Sequence, residues 1–306
     1  MSEPVAAIDC GTNSIRLLVA TANDQGLLVD LDRRMIVIRL GEGVDKTGMI
    51  SPAALDRAFA ACDEFAAVVA RLGAQRVRFV ATSASRDASN RQHFVDGVKA
   101  RIGVEPEVIS GHEEAALSFA GATQGLHPLP PSPYIVIDIG GGSTEFVLGT
   151  DQPEASMSVD MGCVRLTERL LVSDPPTQEE IDQASKFVDS LIARARTEVD
   201  WTGAATLIGL AGSVTTVAAI ALGLAEYDSE RIHGSRISAE QVDDVTSRLL
   251  AMTRSQRAEL GVMHPGRVDV IGGGALVLDR IMHAMQMREV LVSEHDILDG
   301  IALSLL

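Results

Sequence analysis

The sequence has few aromatic residues and almost no lysine. Phe, Tyr and Trp make up 3% of its 306 residues, and three lysines stand against 23 arginines. Acidic residues outnumber basic ones by 42 to 26, so the formal net charge is −16. A chain this acidic has no broad cationic surface that could neutralise nucleic-acid phosphates. The composition therefore predicts no nucleic-acid partner.

Cysteine is also scarce. Cys10, Cys62 and Cys163 are odd in number, widely spaced and set among apolar neighbours. This pattern favours a reducing compartment and disfavours a disulfide framework or a zinc site. The first residues lack the basic segment of a secretory signal peptide. We therefore expect a cytoplasmic protein.

Long hydrophobic runs are limited to one segment. Residues 204–225 carry no charge over a length that could span a membrane. Gly209, Gly212 and Ser213 interrupt the run, and it is better read as a strand, a glycine turn and a buried helix. We expect no membrane association.

An internal repeat is the most informative feature that is present. Residues 8–20 and 137–149 align without a gap, and an apolar strand follows the polar turn in each. The matching positions are Asp9 with Asp138, Gly11 with Gly140, and Ser14 with Ser143. Each copy is predicted to be a β-hairpin with an Asp at the entry to its turn. Two such hairpins predict two similar α/β lobes that could face each other across a cleft.

A proline-rich stretch separates the two copies. Residues 127–133 contain four prolines and cannot form a helix or a central strand. We therefore predict lobes at residues 1–126 and 134–306. The last helix, at about residues 294–306, is a candidate to pack back on the first lobe.

The second turn carries the strongest local signal for chemistry. Gly140, Gly141 and Gly142 would let backbone N–H groups approach an oxyanion, and the hydroxyls of Ser143 and Thr144 add donors. Asp138 and Glu145 flank the turn and could hold Mg²⁺ directly or through water. The competing interpretation is a tight hairpin whose Asp caps the turn amides.

A candidate general base follows Ser110. Ser110 and Glu113 have the spacing of a capping box, which gives Glu113 a structural role. Glu114 is then left over, and a carboxylate near a metal-phosphate site could deprotonate water. Without that site, Glu114 would be a solvated residue that stabilises the helix dipole.

Further anion-binding groups are scattered along the chain. Arg16 lies in the first hairpin, Arg86 follows a buried strand, and Gly212 and Ser213 lie at a strand-to-helix turn where the helix N-terminus favours anions. None of these segments has the Gly-Lys-Ser/Thr ending of a nucleotide P-loop.

Taken together, these segments resemble the exopolyphosphatase / guanosine-pentaphosphate phosphohydrolase (Ppx/GppA) family in its short, two-domain form. The resemblance covers nearly the whole chain. The matching segments are residues 9–16, 81–90, 110–115, 138–145, 161–165, 211–216 and 267–271.

The resemblance implies two actin-like lobes of the ribonuclease H-like superfamily that includes acetate and sugar kinases, heat-shock ATPases and actin, with an interlobe cleft. It matches Glu114 to the catalytic base, and Asp138 and Glu145 to the metal-site acids, with Asp9 nearby. It matches residues 140–144 and Asn13 with Ser14 to the phosphate cradle.

The function implied by the resemblance is exopolyphosphatase activity, in which a Glu-activated water removes the terminal phosphate of inorganic polyphosphate. The expected cofactor is Mg²⁺, with Mn²⁺ as a second possibility. Short chains are favoured, because the helical module of the long family members is missing. The alternatives are hydrolysis of guanosine pentaphosphate and a non-enzymatic sensor of guanosine tetra- or pentaphosphate. The alarmone could also act as an inhibitor, and a homodimer is expected.

One segment departs from the family pattern. Where members usually read Gly-Leu-Arg-Glu-Gly, this chain has Asp296-Ile-Leu-Asp-Gly300. Leu298 stands in place of the Arg, which puts any role carried by that Arg in doubt.

Overall fold

The structure is a computed structural model that describes residues 2–126 and 128–306. Met1 and His127, the first residue of the proline-rich stretch, lie outside the described residues. The strands are β1 Val5–Cys10, β2 Ser14–Ala22, β3 Leu28–Val37, β4 Arg76–Ala81, β5 Glu107–Val108, β6 Tyr134–Ile139, β7 Thr144–Gly149, β8 Pro153–Val159, β9 Thr206–Leu210, β10 Arg236–Ser238 and β11 Glu289–Val292. The helices are α1 Val44–Thr47, α2 Pro52–Leu72, α3 Ser83–Asp87, α4 Arg91–Ile102, α5 Gly111–Gln124, α6 Cys163–Leu170, α7 Gln178–Glu198, α8 Ala211–Ala221, α9 Ser229–Ile232, α10 Ala239–Ala251, α11 Arg254–Ala258, α12 Ile271–Met285 and α13 Ile297–Leu303, with a 3-10 turn at Pro265–Arg267.

The described residues form two mixed sheets with the same plan. The first has the order β3-β2-β1-β4-β5, and the second has the order β8-β7-β6-β9-β11 with β10 added at the edge. In each sheet the first three strands are an antiparallel meander, and a parallel strand follows on the other side of the first strand. The sequence repeat at residues 8–20 and 137–149 therefore marks the first two strands of equivalent sheets.

The chain divides into two compact units. The first comprises the described residues up to Gln124 together with Asp296–Leu306, and the second is Gly125–His295. We predicted a division inside the proline-rich stretch. The structure places it at Gln124–Gly125 instead, because α5 ends there and the segment that follows it packs with the second unit.

The first unit has a core on each face of its sheet. Side chains of α2 and α4, among them Phe65 and Phe94, pack on Ile8 and Leu17. On the opposite face α5 and α13 cover a smaller cluster, which includes Leu298. Leu298 is 1% exposed. The position where the family usually has Arg is thus a core position in this chain.

Helices α5 and α13 touch through their backbones. A Cβ on Gly121 would lie 1.8 Å from the carbonyl oxygen of Asp296, and a Cβ on Gly300 would lie 2.0 Å from that of Leu117. No other residue type fits at either position, since real Cβ contacts are not this short. This close approach holds α13 in the first unit.

The second unit buries one large cluster and a small one of Cys163, Val164 and Val270. Ile135, Ile137 and Phe146 of its sheet pack with α7, α8, α10 and α12. The uncharged run forms β9 and α8, which confirms the prediction of a strand and a buried helix. Among the described residues, no helix combines the length and the apolar character that crossing a membrane requires.

Candidate active site

The turn of the first hairpin is held by backbone hydrogen bonds. The Gly11 N–H donates to the Ser14 carbonyl oxygen at 2.9 Å. The Asn13 carbonyl oxygen accepts from Ile38 at 3.0 Å and from Arg39 at 2.8 Å, in the segment that follows β3. The carbonyl oxygens of Asn13 and Ser14 are therefore held by backbone N–H groups of the first unit.

Arg16 lies directly opposite Asp9 across the first hairpin. Its Nη2 is 2.6 Å and its Nε 3.0 Å from Oδ2 of Asp9, and its Nη1 donates to Asp296. Burial opposes the guanidinium charge, but Asp296 and Asp9 raise the pKa of Arg16 above its usual value. We predicted Arg16 as a phosphate ligand. The structure instead gives it two carboxylate partners, with which a phosphate would have to compete.

The turn of the second hairpin repeats the first. The Gly140 N–H donates to the Ser143 carbonyl oxygen at 3.0 Å, the bond that Gly11 makes in the first turn. The carbonyl oxygens of Gly140, Gly141 and Gly142 accept hydrogen bonds from backbone N–H groups at the start of α6. The pairs are Cys163 to Gly140 at 3.0 Å, Val164 and Arg165 to Gly141 at 2.9 and 3.1 Å, and Gly162 to Gly142 at 3.2 Å.

Two residues fix this packing of α6 on the second turn. A Cβ on Gly162 would lie 2.2 Å from the Gly141 backbone, so only glycine fits there. The Arg165 Nε donates to the Gly142 carbonyl oxygen at 2.9 Å. With the carbonyls held on one side, the adjacent peptide N–H groups are oriented toward the other, as an anion cradle requires.

The polar residues of the second hairpin are buried. Asp138 lies opposite Glu145 in the β6–β7 pair, and Glu145 is 1% exposed. Its Oε1 accepts from the Ser158 hydroxyl at 2.7 Å. The Thr144 hydroxyl donates to the Met161 carbonyl oxygen at 2.6 Å. A phosphate would have to compete with that carbonyl oxygen for the Thr144 proton, so the prediction that this hydroxyl binds phosphate stays a prediction. Ser143, 3% exposed, is the other hydroxyl of the turn.

Glu114 is buried on the first turn of α5 and is not the solvated residue of the alternative interpretation. Its Oε2 accepts from Arg86 Nη1 at 2.9 Å, and the same Arg86 nitrogen donates to the Ile109 carbonyl oxygen at 2.9 Å. Burial raises the pKa of Glu114 to about 7, although Arg86 opposes the rise, and the charge of Asp9 adds to it. A carboxylate with a pKa near neutrality is suited to accept a proton from water.

The neighbouring Glu113 has a structural role, which is in part the one that its spacing predicted. Its N–H donates to the Ser110 hydroxyl at 3.2 Å, which is the first bond of the predicted capping box. Its carboxylate pairs with Arg78 at 2.8 Å. Two adjacent carboxylates are thus separated in function, because one is exposed and ion-paired while the other is buried beside Arg86.

Arg267 lies at the strand-to-helix turn before α8, and we did not predict it as a site residue. Ala211 has a φ of 67°, a strained value for a residue with a side chain. A Cβ on Gly212 would lie 2.2 Å from the Arg267 guanidinium, whose Nη1 donates to Thr216 Oγ1 at 3.1 Å. The following Ser213 is buried. Arg267 lies in one of the family-like segments, but 51 residues separate it from Thr216.

The acidic residues suit a divalent cation. The Oδ1 of Asp9 is buried without a hydrogen-bond partner, which leaves one carboxylate oxygen for a water or a metal ion. Mg²⁺ uses few carboxylates and keeps most of its waters. Within residues 2–126 and 128–306 no three His, Cys, Asp or Glu side chains form a ready-made metal cluster. The residues present therefore fit a partly hydrated ion and not a cage built by protein ligands alone.

The strand order, the repeated hairpins and the position of their acids define an actin-like α/β protein. Solved structures of relatives share this architecture, and the expected fold class is confirmed. The chain belongs to the Ppx/GppA phosphatase family, whose profile matches residues 18–306.

The chain is similar to exopolyphosphatases and an exopolyphosphatase-like protein over nearly its whole length. It is 48% identical to exopolyphosphatase 2 of Mycobacterium tuberculosis, over 98% of each chain. It superposes on the crystal structure of an exopolyphosphatase-like protein with a TM-score of 0.94, at 46% identity over 98% of both chains. For an exopolyphosphatase from Cytophaga hutchinsonii the TM-score is 0.89, at 25% identity over 97% of this chain and 96% of that one.

Proposed function

We propose that the protein is an exopolyphosphatase, a hydrolase that removes the terminal phosphate of inorganic polyphosphate. The observation that carries the proposal is Glu114, a buried carboxylate with a pKa of about 7 that Arg86 holds in place. The exopolyphosphatase relatives support polyphosphate as the substrate class.

Glu114 is the proposed general base. It takes a proton from a water molecule, whose oxygen attacks the terminal phosphorus as the anhydride P–O bond breaks. The products are orthophosphate and a chain shorter by one phosphate, which leaves as an oxyanion. The developing charge spreads over the phosphoryl oxygens, so catalysis depends on positioning and electrostatic stabilisation.

Backbone N–H groups are the proposed phosphate ligands. They come from Gly141, Gly142 and Ser143 in the second unit, with the Ser143 hydroxyl, and from Asn13 and Ser14 in the first. The Gly140 N–H closes the turn instead, by donating to the Ser143 carbonyl oxygen. The N-terminus of α8, at Gly212 and Ser213, is a further anion-binding element with Arg267 beside it. Arg86 carries a positive charge next to the base, whereas the charge of Arg16 is already matched by two carboxylates.

A divalent cation, Mg²⁺ or Mn²⁺, is the proposed cofactor, and Asp9, Asp138 and Glu145 are the residues that would hold it. When bound, it would neutralise phosphoryl oxygens and lower the charge that the acidic protein presents to a polyanion. A homodimer and a cytoplasmic location remain predictions.

Phosphate release in Mg²⁺ tests the proposal. Wild-type protein is given short polyphosphate, long polyphosphate and guanosine pentaphosphate at equal concentrations of chain ends. We expect rapid release from polyphosphate and a loss of about 10²- to 10⁴-fold in kcat for Glu114→Gln. The matched control is Glu113→Gln, on the same helical turn, which should stay near wild type.

Each other outcome contradicts part of the proposal. Release from the nucleotide alone would make the protein an alarmone hydrolase. Calorimetric binding of guanosine tetra- or pentaphosphate without phosphate release from any substrate would make it a sensor. Full activity of Glu114→Gln would remove Glu114 from the role of base.

A further inference from the structure

The segment that departs from the family pattern contributes a carboxylate to the first hairpin. Asp296 lies before α13 and caps it, since its Oδ1 accepts from the Leu298 N–H at 2.9 Å. Its other oxygen, Oδ2, accepts from Arg16 Nη1, 280 residues away in the sequence. The family pattern has Gly at this position and offers no such contact.

Arg16 in turn fixes one oxygen of Asp9. Its Nε and Nη2 both donate to Oδ2 of Asp9, at 3.0 and 2.6 Å. Both bonds converge on a single oxygen, so the planar guanidinium fixes the position of Oδ2. The second oxygen, Oδ1, is then directed to a buried place where it has no protein partner.

The charges of this group do not balance. Two carboxylates and one guanidinium leave a net charge of −1, and all three groups are at least mostly buried. A buried acceptor that lacks a partner is energetically unfavourable. Both the missing positive charge and the missing partner of Oδ1 would be supplied by a cation.

We infer that Arg16 and Asp296 are positioning residues for Asp9, and that they hold its Oδ1 ready for a divalent cation. Asp296 orients Arg16, Arg16 orients Asp9, and neither contacts the substrate. This inference rests on the proposed function for its cation. It assigns Arg16 a different role from the phosphate ligand that the sequence predicted.

Binding of Mn²⁺ to the protein without polyphosphate tests the inference, with free Mn²⁺ followed by electron paramagnetic resonance. The variant Asp9→Asn first identifies the binding event that depends on Asp9. Arg16→Lys keeps the charge but loses the fork, and Asp296→Ser keeps a helix cap but loses the carboxylate. Removing residues that orient a metal ligand weakens metal binding by about 10- to 100-fold, and we expect a weakening in this range for both variants.

Asp299→Asn is the matched control. Asp299 lies on the same helix, is buried and pairs with an arginine, but that arginine is Arg33 on β3, which does not contact Asp9. The Oδ2 of Asp299 also accepts from the Asp296 N–H at 2.9 Å, and the amide oxygen of Asn can keep that bond. Its Mn²⁺ binding should equal that of wild type. A general loss of stability would instead affect Asp296→Ser and Asp299→Asn alike.

Three results would overturn the inference: no Mn²⁺ binding that depends on Asp9, wild-type binding in Arg16→Lys, or equal weakening in Asp299→Asn. The failure of the proposed function is distinguishable from these. It would show as normal Mn²⁺ binding with no phosphate release from polyphosphate.

Discussion

The two hairpins share a backbone but differ in the residue that faces the entry Asp. Asp9 lies opposite Arg16, and Asp138 lies opposite Glu145 at the equivalent register position. Both turns are closed by the same hydrogen bond, from the Gly11 or Gly140 N–H to the carbonyl oxygen three residues on. In the first hairpin the cross-strand pair is an ion pair, and in the second it consists of two acids.

This difference has opposite effects on the stability of the two hairpins. Opposite charges across a strand pair stabilise it, whereas like charges directly opposite destabilise it. The first hairpin therefore has a stabilising cross-strand pair. The second has two carboxylates at the equivalent register position.

The largest effect is expected from replacing Glu145 with Gln, which removes one of the two acids that distinguish the second hairpin from the first. The change keeps the shape of a side chain that is 1% exposed but leaves Asp138 as the only carboxylate of the pair. We expect phosphate release to fall by about 100-fold or more, because a group that stabilises transition-state charge is worth about that much. Kinetics with increasing Mg²⁺ check this result.

The control for that variant is Ser158→Ala, which removes the hydroxyl that donates to Glu145 but keeps both acids. It should lose much less activity. Equal losses in the two variants would show that packing around Glu145 matters more than its charge.

The second prediction compares Gly162 and Gly41, the glycines that pack against the second and the first turn. A Cβ on Gly162 would meet the Gly141 backbone at 2.2 Å, whereas a Cβ on Gly41 would meet the Thr12 methyl group at 2.2 Å. A side chain can rotate and a backbone cannot. Gly162→Ala should therefore lower the free energy of unfolding by about 1–3 kcal/mol, and Gly41→Ala by less. Urea denaturation of both variants measures the difference.

The third prediction concerns pH. Because the pKa of Glu114 is raised from 4.5 to about 7, the folded protein retains this proton between those values. Its contribution to stability is present below about pH 4.5 and is lost as the pH rises through about 7. The rate has the opposite dependence, since the base must be ionised, so kcat/KM should rise with an acidic midpoint near 7.

Replacing Arg86 tests the same pKa in a second way. Arg86 lowers the pKa of Glu114, so Arg86→Gln should move the acidic midpoint of kcat/KM to higher pH. A profile with an unchanged midpoint would show that another group controls the rate. Thermal unfolding at pH 5 and pH 8 tests the contribution of Glu114 to stability separately. The Glu114→Gln variant should lose the part of the pH dependence of Tm that Glu114 causes.

The smallest effect is expected for glycine-to-alanine changes within the two turns, measured as a shift in Tm. A Cβ on Gly140 would lie 3.1 Å from the Ser143 carbonyl oxygen, and a Cβ on Gly11 would lie 3.5 Å from that of Ser14. The second distance is an ordinary contact and the first is tight. Gly140→Ala should lower Tm slightly more than Gly11→Ala, and equal values would show that the two turns are equally tolerant.

Local signals in the sequence were sufficient for much of the fold. The Ser110 hydroxyl accepts from the Glu113 N–H at the start of α5, as their spacing predicted. The repeat located β1, β2, β6 and β7 and showed that the two sheets are equivalent. These features depend on a few neighbouring residues, which is why a single sequence is enough to find them.

The partners of the candidate site residues could not be predicted in this way. Arg16 meets Asp296 and Arg267 meets Thr216 only because the sheets bring distant segments together. The support of Gly140–Gly142 by α6 depends equally on tertiary packing, since Gly162 gives no sign in the sequence of which backbone it touches. Burial of Glu114, and the pKa that results, also follows from packing.

The interruption of the first unit by the second has a consequence during synthesis of the chain. The first sheet leaves the ribosome early, but the helix that covers its Ala7, Leu18 and Val80 face emerges only after all of Gly125–His295 has been made. The second unit is continuous and has its complete core at hand sooner. The amino-terminal unit of a nascent chain usually folds first. In this protein we expect the reverse order, in which the second unit folds before the first unit is complete.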